Sequence, residues 1–215
     1  MTLAKSRSSA KPRAGFRREA PEDRRRQLAE AALRCIVRHG NAGVSARQIA
    51  MEAGVTQGLI THHFGEINEL VAHAFDVMAD GMLDLVMKAV DAAPPEPGAR
   101  LSAFVENSFS PALFDRDVLG VWVVFWGLIL HSPRMSASQK GEYTSYVVTV
   151  EKLIVDYAVA EGFAIANPRL AAIGFTALMD GLWLAWCLNP DAFQPDEGIQ
   201  ICKNWIGGLK LGSFA

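Results

Sequence analysis

The stretch from Ser45 to Phe64 contains two short helical patterns joined by a tight turn. Ser45 and Gln48 form a capping box at the start of the first helix, in which each side chain can bond the other's backbone amide. Gly54 can adopt the left-handed conformation that ends a helix, and Thr56 can cap the next one. Two helices joined this closely must cross and pack together, so this segment constrains the fold strongly.

The second helix of the pair carries small and polar residues on one face. At 3.6 residues per turn, Ile60 and Phe64 share the inward face, while Gln57, Gly58 and Thr61 lie together on the outward face. This is the helix-turn-helix arrangement, whose second helix lies in the major groove of DNA. Glutamine can read adenine, threonine can contact a base edge or a thymine methyl, and glycine permits close approach of the backbone. The pattern therefore predicts a DNA-reading helix.

Two adjacent histidines, His62 and His63, end this helix. Adjacent helical residues point about 100° apart, so the pair cannot readily chelate one metal ion. We interpret them as contacts to DNA phosphates, which would be strongest when the imidazoles are protonated. The alternative is a polar pair that caps or lines the core of a three-helix domain. Neither interpretation calls for a metal ion or another cofactor, and we expect none.

Residues 44–70, VSARQIAMEAGVTQGLITHHFGEINEL, resemble the TetR family of bacterial transcriptional repressors. Ile67 is a departure from the family pattern, because a phosphate-binding lysine is usual there; Asn68 and the N-terminal arginines are candidates to replace it. The resemblance implies contacts to bases or the sugar-phosphate backbone from Arg47, Thr56, Gln57, Gly58 and Thr61, and contacts to the DNA backbone from His62 and His63.

Charge is distributed unevenly along the 215 residues, although the net charge is only −2. Residues 1–70 hold 12 Lys and Arg against 7 Asp and Glu, whereas residues 71–215 hold 9 against 16. A basic N-terminal part suits a polyanionic partner, because Lys and Arg displace counterions from phosphates. For residues 1–20 alone, a disordered solubilising tail explains the charge equally well.

Helical patterns cover the rest of the chain, and no convincing strand emerges. We expect an all-α protein of about nine helices. An N-terminal three-helix helix-turn-helix DNA-binding domain would occupy residues 21–66, and a C-terminal helical domain for effector binding and dimerisation residues 67–215. The predicted helices are 22–39, two short ones between 45 and 64, 67–92, 100–110, 117–131, 134–161, 168–188 and a last one that Pro195 precedes.

Several classes of protein are disfavoured by what the sequence lacks. The three cysteines are odd in number and have no Cys-x-x-Cys pairing, which fits a reducing compartment. The first residues contain no apolar signal region, and the apolar run at 118–130 is shorter than the roughly 20 residues that span a bilayer. Nucleophile-elbow, phosphate-loop and dinucleotide-binding motifs are missing. We therefore expect a cytoplasmic protein that is neither an enzyme nor a membrane protein.

Two C-terminal segments, VWVVFWGLILHSP at 121–133 and ALMDGLWLAWCL at 177–188, resemble the BetI-type subgroup, which represses choline-to-betaine genes. Aromatic residues and a carboxylate at helical spacing can converge on a pocket that binds quaternary ammonium ions through cation–π attraction. The alternative is a structural core or a subunit interface. The candidate ligand-binding residues are Trp122, Phe125, Trp126, Asp180 and Trp183.

A single reading helix covers only a few base pairs, so specificity in a genome requires two half-sites and a two-fold protein. We thus expect a homodimer on an inverted-repeat operator, responsive to a small-molecule effector such as choline. The effector could instead be an unrelated apolar or cationic molecule, or the chain could bind small molecules without binding DNA. Candidate interface residues are Trp183, Trp186, Ile199 and Trp205.

Overall fold

A computed structural model describes residues 20–211. Nearly all of the predicted basic tail lies outside this range. The described part contains nine α-helices and two short 3-10 turns, at Gly40–Gly43 and Leu209–Leu211, and no strand. The helices are α1 Pro21–His39, α2 Ala46–Glu52, α3 Gln57–Phe64, α4 Ile67–Ala92, α5 Pro97–Ser108, α6 Arg116–Ile129, α7 Pro133–Ala160, α8 Pro168–Leu188 and α9 Pro195–Gly208. The prediction of an all-α fold is confirmed.

Local signals set several helix ends as predicted. Gly40 and Gly54 have positive φ angles of 58° and 66° at the ends of α1 and α2, a conformation that glycine adopts without steric cost. The Asn167 side chain accepts a hydrogen bond from the Leu170 amide at 3.0 Å and caps α8. These helix ends follow from the identity of one or two residues each.

The caps of the helix-turn-helix differ in part from prediction. The Gln48 amide donates to Ser45 Oγ at 3.2 Å, as expected. The reciprocal bond was predicted wrongly, because the Ser45 amide donates to the Gly43 carbonyl at 2.9 Å and the Gln48 side chain accepts from the Ser45 hydroxyl at 3.1 Å. Thr56 occupies the cap position of α3, but its side chain makes no capping bond. The backbone turns therefore define this motif more than the side-chain caps do.

Two apolar cores share α4 and α6. The first core joins α1, α2, α3 and the start of α4 to Val121 and Phe125 of α6 and Met135 of α7. The second core fills the C-terminal helices and includes Met82, Val86 and Val90 from the second half of α4. Because close-packed interiors transmit strain, a displacement of α4 or α6 in one core also changes the packing of the other core.

Within residues 20–211, one helix is long and apolar enough to cross a bilayer by length and composition, namely α8. This is a weak indication of a membrane span, since the core helix of a soluble protein meets the same criteria. Phe175, Thr176 and Met179 on α8 are buried within the C-terminal domain. The packing of α8 is that of a core helix with one uncovered side.

Candidate functional site

Helix α3 packs against the first core through two buried side chains on one face, Ile60 and Phe64. Its opposite face is open to solvent, as the helical spacing predicts. Of the seven predicted DNA contacts, six are exposed and lie on α2, α3 or the turn between them: Arg47, Thr56, Gln57, Gly58, Thr61 and His62. The structure thus leaves these six residues open to solvent on the helix-turn-helix, and we call this exposed surface the reading face.

An arginine that the sequence analysis missed fixes the end of α3. The Arg25 guanidinium of α1 donates to the His63 carbonyl at 2.5 Å and lies 4.1 Å from the centre of the Phe64 ring. A cation satisfies the free carbonyls at a helix C-terminus and also attracts the ring face. Arg25 precedes His63 by 38 residues, and no spacing rule connects positions that far apart.

The seventh predicted contact, His63, is only half-exposed. Partial burial lowers its pKa, and the neighbouring His62 and Arg25 lower it further. The two imidazole rings meet edge to face with their centres 5.2 Å apart. The lowered pKa favours the neutral form of His63, so protonation would contribute less to a phosphate contact here than at an unperturbed histidine.

Two further arginines of α1 pair with a carboxylate of α2. Arg34 Nε lies 2.8 Å from Glu52 Oε1 on α2, and Arg38 pairs with the same carboxylate. The hydrogen bond from Arg34 lowers the pKa of Glu52.

Ile67 packs against the first core, which accounts for an apolar residue where the resemblance leads us to expect a lysine. Asn68, the next residue, remains exposed.

A cavity of about 110 Å³ lies between α4, α6, α7 and α8 in the C-terminal domain. For comparison, a dry cavity of about 150 Å³ can hold a benzene-sized molecule. Four of the five predicted ligand-binding residues line its wall: Trp122, Trp126, Asp180 and Trp183. The structure therefore joins two aromatic side chains of α6 to a carboxylate and an indole of α8.

Phe125 does not belong to this cavity, contrary to the prediction. It is 0% exposed and packs in the first core, with its ring centre 5.4 Å from that of Phe75. The error arises because Phe125 precedes Trp126 by one residue, which turns its side chain about 100° away on the helix. Phe125 instead connects α6 to the first core.

The cavity has an acidic character. Burial raises the pKa of Asp180 to about 6, and the nearby Asp180 carboxyl adds to the effect of burial in raising the pKa of Tyr146. Burial, together with Asp80 and Asp76, raises the pKa of Glu142, which lines the cavity from α7. No lysine, arginine or histidine is among the described residues that line the cavity. The wall is therefore suited to a cation.

The α7 side of the cavity was not predicted from the sequence. Gln139, Glu142, Tyr143 and Tyr146 line it at spacings of three, four and seven residues. The helical spacing of these four residues is visible in the sequence. It was not recognised as part of a site, because polar residues at such spacing usually mark a solvated face.

The four predicted interface residues make contacts within the chain. Trp183 lines the cavity, the Trp186 ring lies 4.3 Å from that of Phe114, and the Trp205 ring lies 5.3 Å from that of Phe175. All four, including Ile199, are only partly exposed. The more exposed apolar side chains of α8 and α9 are Leu170 at 50%, Leu188 at 68% and Ile201 at 41%.

Family models match both parts of the chain. A model of bacterial regulatory proteins of the tetR family matches residues 28–74. A model of the C-terminal domain of BetI-type transcriptional repressors matches residues 97–209. The boundary between the two matches falls on α4 and the turn after it, where the two cores meet.

Curated relatives and solved structures agree with these models. The HTH-type transcriptional regulator BetI of Pectobacterium carotovorum is 31% identical over 186 residues, which are 85% of this chain and 92% of the relative. A transcriptional regulator from Pseudomonas aeruginosa PAO1 superposes with a TM-score of 0.84 at 40% identity, covering 93% of this chain and 96% of that one. A regulator from Saccharomonospora viridis, solved in complex with choline, has a TM-score of 0.74 at 23% identity, covering 86% and 96%.

The fold, the open reading face and these relatives define a DNA-binding transcriptional regulator and not an enzyme. The chain belongs to the TetR family, and its C-terminal domain is of the BetI type.

Proposed function

We propose that the reading face binds an inverted-repeat operator, with Gln57 and Thr61 at base edges in the major groove. The exposure of these residues on a helix anchored from behind by Ile60 and Phe64 is the observation that carries the proposal. Arg47, Thr56, Gly58, His62 and His63 complete the proposed contact set. Such a regulator would act in the cytoplasm, where bacterial DNA lies.

Changing Gln57 to alanine is expected to weaken operator binding, because a bidentate contact between glutamine and adenine is worth about 1–3 kcal/mol at each half-site. Gel-shift titration on the chain's upstream intergenic DNA measures the loss. The same substitution at Gln200, exposed on α9, is the matched control. Equal affinity of the two variants would refute the assignment of Gln57, and binding that does not weaken with added salt would refute phosphate contacts altogether.

The protein is further proposed to act as a homodimer, with the uncovered side of α8 as the centre of the interface. Leu170, Ala177, Gly181, Ala185 and Leu188 are exposed along this helix at spacings of three to seven residues. Ile201 of α9 adds an exposed apolar side chain. Small residues between leucines allow two helices to approach closely, and a large apolar interface is typical of obligate dimers. The partly exposed Trp183, Trp186, Ile199 and Trp205 would then lie near the edge of this contact.

Replacing Gly181 with arginine should convert the dimer to a monomer. Outside its own helix, a Cβ at Gly181 would meet no atom of residues 20–211 within 4 Å, so the substitution obstructs a second chain without straining the first. Light scattering should give about twice 23.4 kDa for the wild type and a single-chain mass for the variant. Gly141 of α7, whose Cβ would also have open space, provides the control substitution. A monomeric wild type would disprove the proposed interface.

For the effector, we propose an organic cation of the quaternary ammonium class, such as choline. The observation that carries this choice is a partly buried carboxyl, Asp180, in a wall that also contains Trp122, Trp126 and Trp183. Aromatic faces attract such cations, and a carboxylate adds Coulomb attraction. The Saccharomonospora viridis regulator, which shares this fold, was solved in complex with choline.

The route from the cavity to the reading face would run through α6 and α4. Trp122 lines the cavity, and its ring meets that of Phe75 on α4 edge to face at 5.3 Å. Phe75 in turn contacts Phe125 in the first core at 5.4 Å, and α6 also packs against α1. An effector would change DNA affinity to the extent that it prefers one arrangement of these helices.

A further inference from the structure

Arg134, in the first turn of α7, pairs with two carboxylates of α4. Its Nε lies 3.0 Å from Glu69 Oε2, and its Nη2 lies 3.6 Å from Asp76 Oδ2. The third guanidinium nitrogen, Nη1, donates to Ser138 Oγ one turn further along α7. Glu69 and Asp76 are seven residues apart, which places them on the same face of α4, two turns from each other. One cation is therefore shared between two carboxylates.

The two carboxylates are not equally satisfied. Arg134 donates a hydrogen bond to Glu69, whereas its 3.6 Å separation from Asp76 exceeds the length of a hydrogen bond. Asp76 Oδ1 is buried and makes no hydrogen bond with the described residues, and such an atom costs free energy. Asp76 can thus accept the guanidinium that Glu69 now holds.

The second pairing is close in free energy to the one observed. Both ion pairs of Arg134 are partly exposed to solvent, and pairs of this kind are weak. Burial raises the pKa of Glu142 on α7, and the nearby Asp80 and Asp76 raise it further. Three carboxyl groups therefore lie close together around Asp76, and their mutual repulsion favours bringing a cation to them.

The same face of α4 reaches the DNA-reading helix. His73 lies on this face, four residues after Glu69 and three before Asp76. The centre of its ring is 5.6 Å from that of Phe64, one of the two buried side chains by which α3 packs on the first core. A displacement of this half of α4 along α7 therefore also displaces the packing surface of α3.

We propose that Arg134 is a positioning residue with two alternative partners on α4. When it pairs with Glu69, it holds the arrangement observed here. When it pairs with Asp76, the first half of α4 is displaced along α7, and the DNA-binding domain moves with it. The choice of partner thus sets the affinity for DNA. None of the three paired side chains lines the cavity, so the proposal does not depend on the identity of the effector.

Two conservative variants each remove one partner. Glu69→Gln leaves Arg134 to Asp76, and Asp76→Asn leaves it to Glu69. We expect Glu69→Gln to displace the DNA-binding domain by about 1–2 Å, the usual size of a helix shift. Asp76→Asn should keep the wild-type position, because the observed pairing is the one that it retains.

Spin labels measure this displacement in the full-length protein. Asn41, in the 3-10 turn of the DNA-binding domain, and Lys140, on α7, are exposed, and the three native cysteines are buried. Labels on cysteines introduced at these two positions report the distance between the domains by pulsed electron resonance. Dilution with unlabelled protein restricts the measurement to distances within one chain, and no DNA is needed.

A double-mutant cycle assigns the displacement to Arg134. In an Arg134→Gln background, Glu69→Gln should no longer change the label distance, because no cation remains to exchange partners. Asp84→Asn, which removes an α4 carboxylate paired with Lys88, should leave the distance unchanged in either background.

Gel shift on the upstream intergenic DNA gives the functional readout. Glu69→Gln should change the affinity at least about fivefold, the lower end of usual couplings between sites. Most of this change should disappear in the Arg134→Gln background, where only the loss of one carboxylate charge remains.

Three results would contradict the exchange of partners. The first is a Glu69→Gln variant with the wild-type label distance, and the second is a displacement that persists without Arg134. The third is an equal displacement in the same direction for Glu69→Gln and Asp76→Asn, which would make Arg134 a simple structural clamp. Since the distances are measured without DNA, a wrong choice of operator would affect the gel shift alone.

Discussion

Replacing Asp180 with asparagine is expected to stabilise the free protein by about 2 kcal/mol at pH 7 and to weaken choline binding by about a hundredfold. Burial raises the pKa of this carboxyl from 3.8 to about 6. At about 1.4 kcal/mol per pKa unit, the ionised group costs up to about 3 kcal/mol at neutral pH. An amide avoids that cost in large part but offers no charge to the cation. The protein would thus give up stability to keep a charged cavity wall.

The contribution of Asp180 to folding stability decreases as the pH rises. Because the pKa of Asp180 is higher in the folded state than in the unfolded state, the folded protein binds more protons between about pH 4 and pH 6. The contribution of this carboxyl to stability is complete below about pH 4 and is lost as the pH rises through 6. The stability difference between Asp180→Asn and the wild type should therefore be small near pH 4 and reach its full value above pH 7. Choline binding by the wild type should weaken below pH 6, where the carboxyl is neutral.

Urea unfolding at a series of pH values measures the stability difference, and calorimetry measures choline affinity. Asp84→Asn is the control, because Asp84 is 74% exposed and its pair with Lys88 spans 3.4 Å on the surface. Such a pair contributes at most about 1 kcal/mol. A variant at position 180 that is less stable than the wild type at pH 7 would mean that Asp180 has a structural partner and is not a charge held for a ligand.

The fold was readable from the sequence because the signals for the helix ends are local. Asn167 followed by Pro168 begins α8, and Gly40 ends α1, each through the conformation or hydrogen bond of one residue. The predicted extent of the long helix from Ile67 to Ala92 agrees with α4. Such features depend on a few neighbouring positions, and no knowledge of the tertiary packing is needed to recognise them.

The candidate site could be predicted only in part, because its details depend on how each helix is rotated about its own axis relative to its neighbours. Spacing placed Trp122 and Trp126 on one face correctly, but it could not show that Phe125 faces the first core. It gave no sign of Arg25 beneath the end of α3. The interface tryptophans pose the same difficulty, since Trp186 packs on Phe114 within the chain and its share in a dimer contact stays a prediction.

The position of the helix-turn-helix depends on a close backbone contact between the 3-10 turn and α1, and we expect a large loss of stability when this contact is obstructed. Gly43, just before α2, is buried against α1, and a Cβ there would lie 2.2 Å from the Cys35 carbonyl oxygen and 2.6 Å from the Cys35 carbonyl carbon. Neither atom belongs to a flexible side chain, so the alanine variant must push α1 and the 3-10 turn apart. We expect Gly43→Ala to destabilise the protein by about 3 kcal/mol or more, the range of severe overpacking.

Operator affinity should fall with it, because α1 supplies both the buried wall behind α3 and the Arg25 contact at its end. Thermal unfolding by circular dichroism and gel shift measure the two losses. Gly81→Ala is the matched control, because Gly81 lies within α4 and a Cβ there would meet nothing within 4 Å among the described residues outside that helix. Alanine should stabilise the helix by about 0.5–1 kcal/mol. The Gly43→Ala variant could instead have the same unfolding temperature and the same operator affinity as the wild type. In that case α1 and the turn can separate without displacing α3. The reading face would then not depend on the close approach at Gly43.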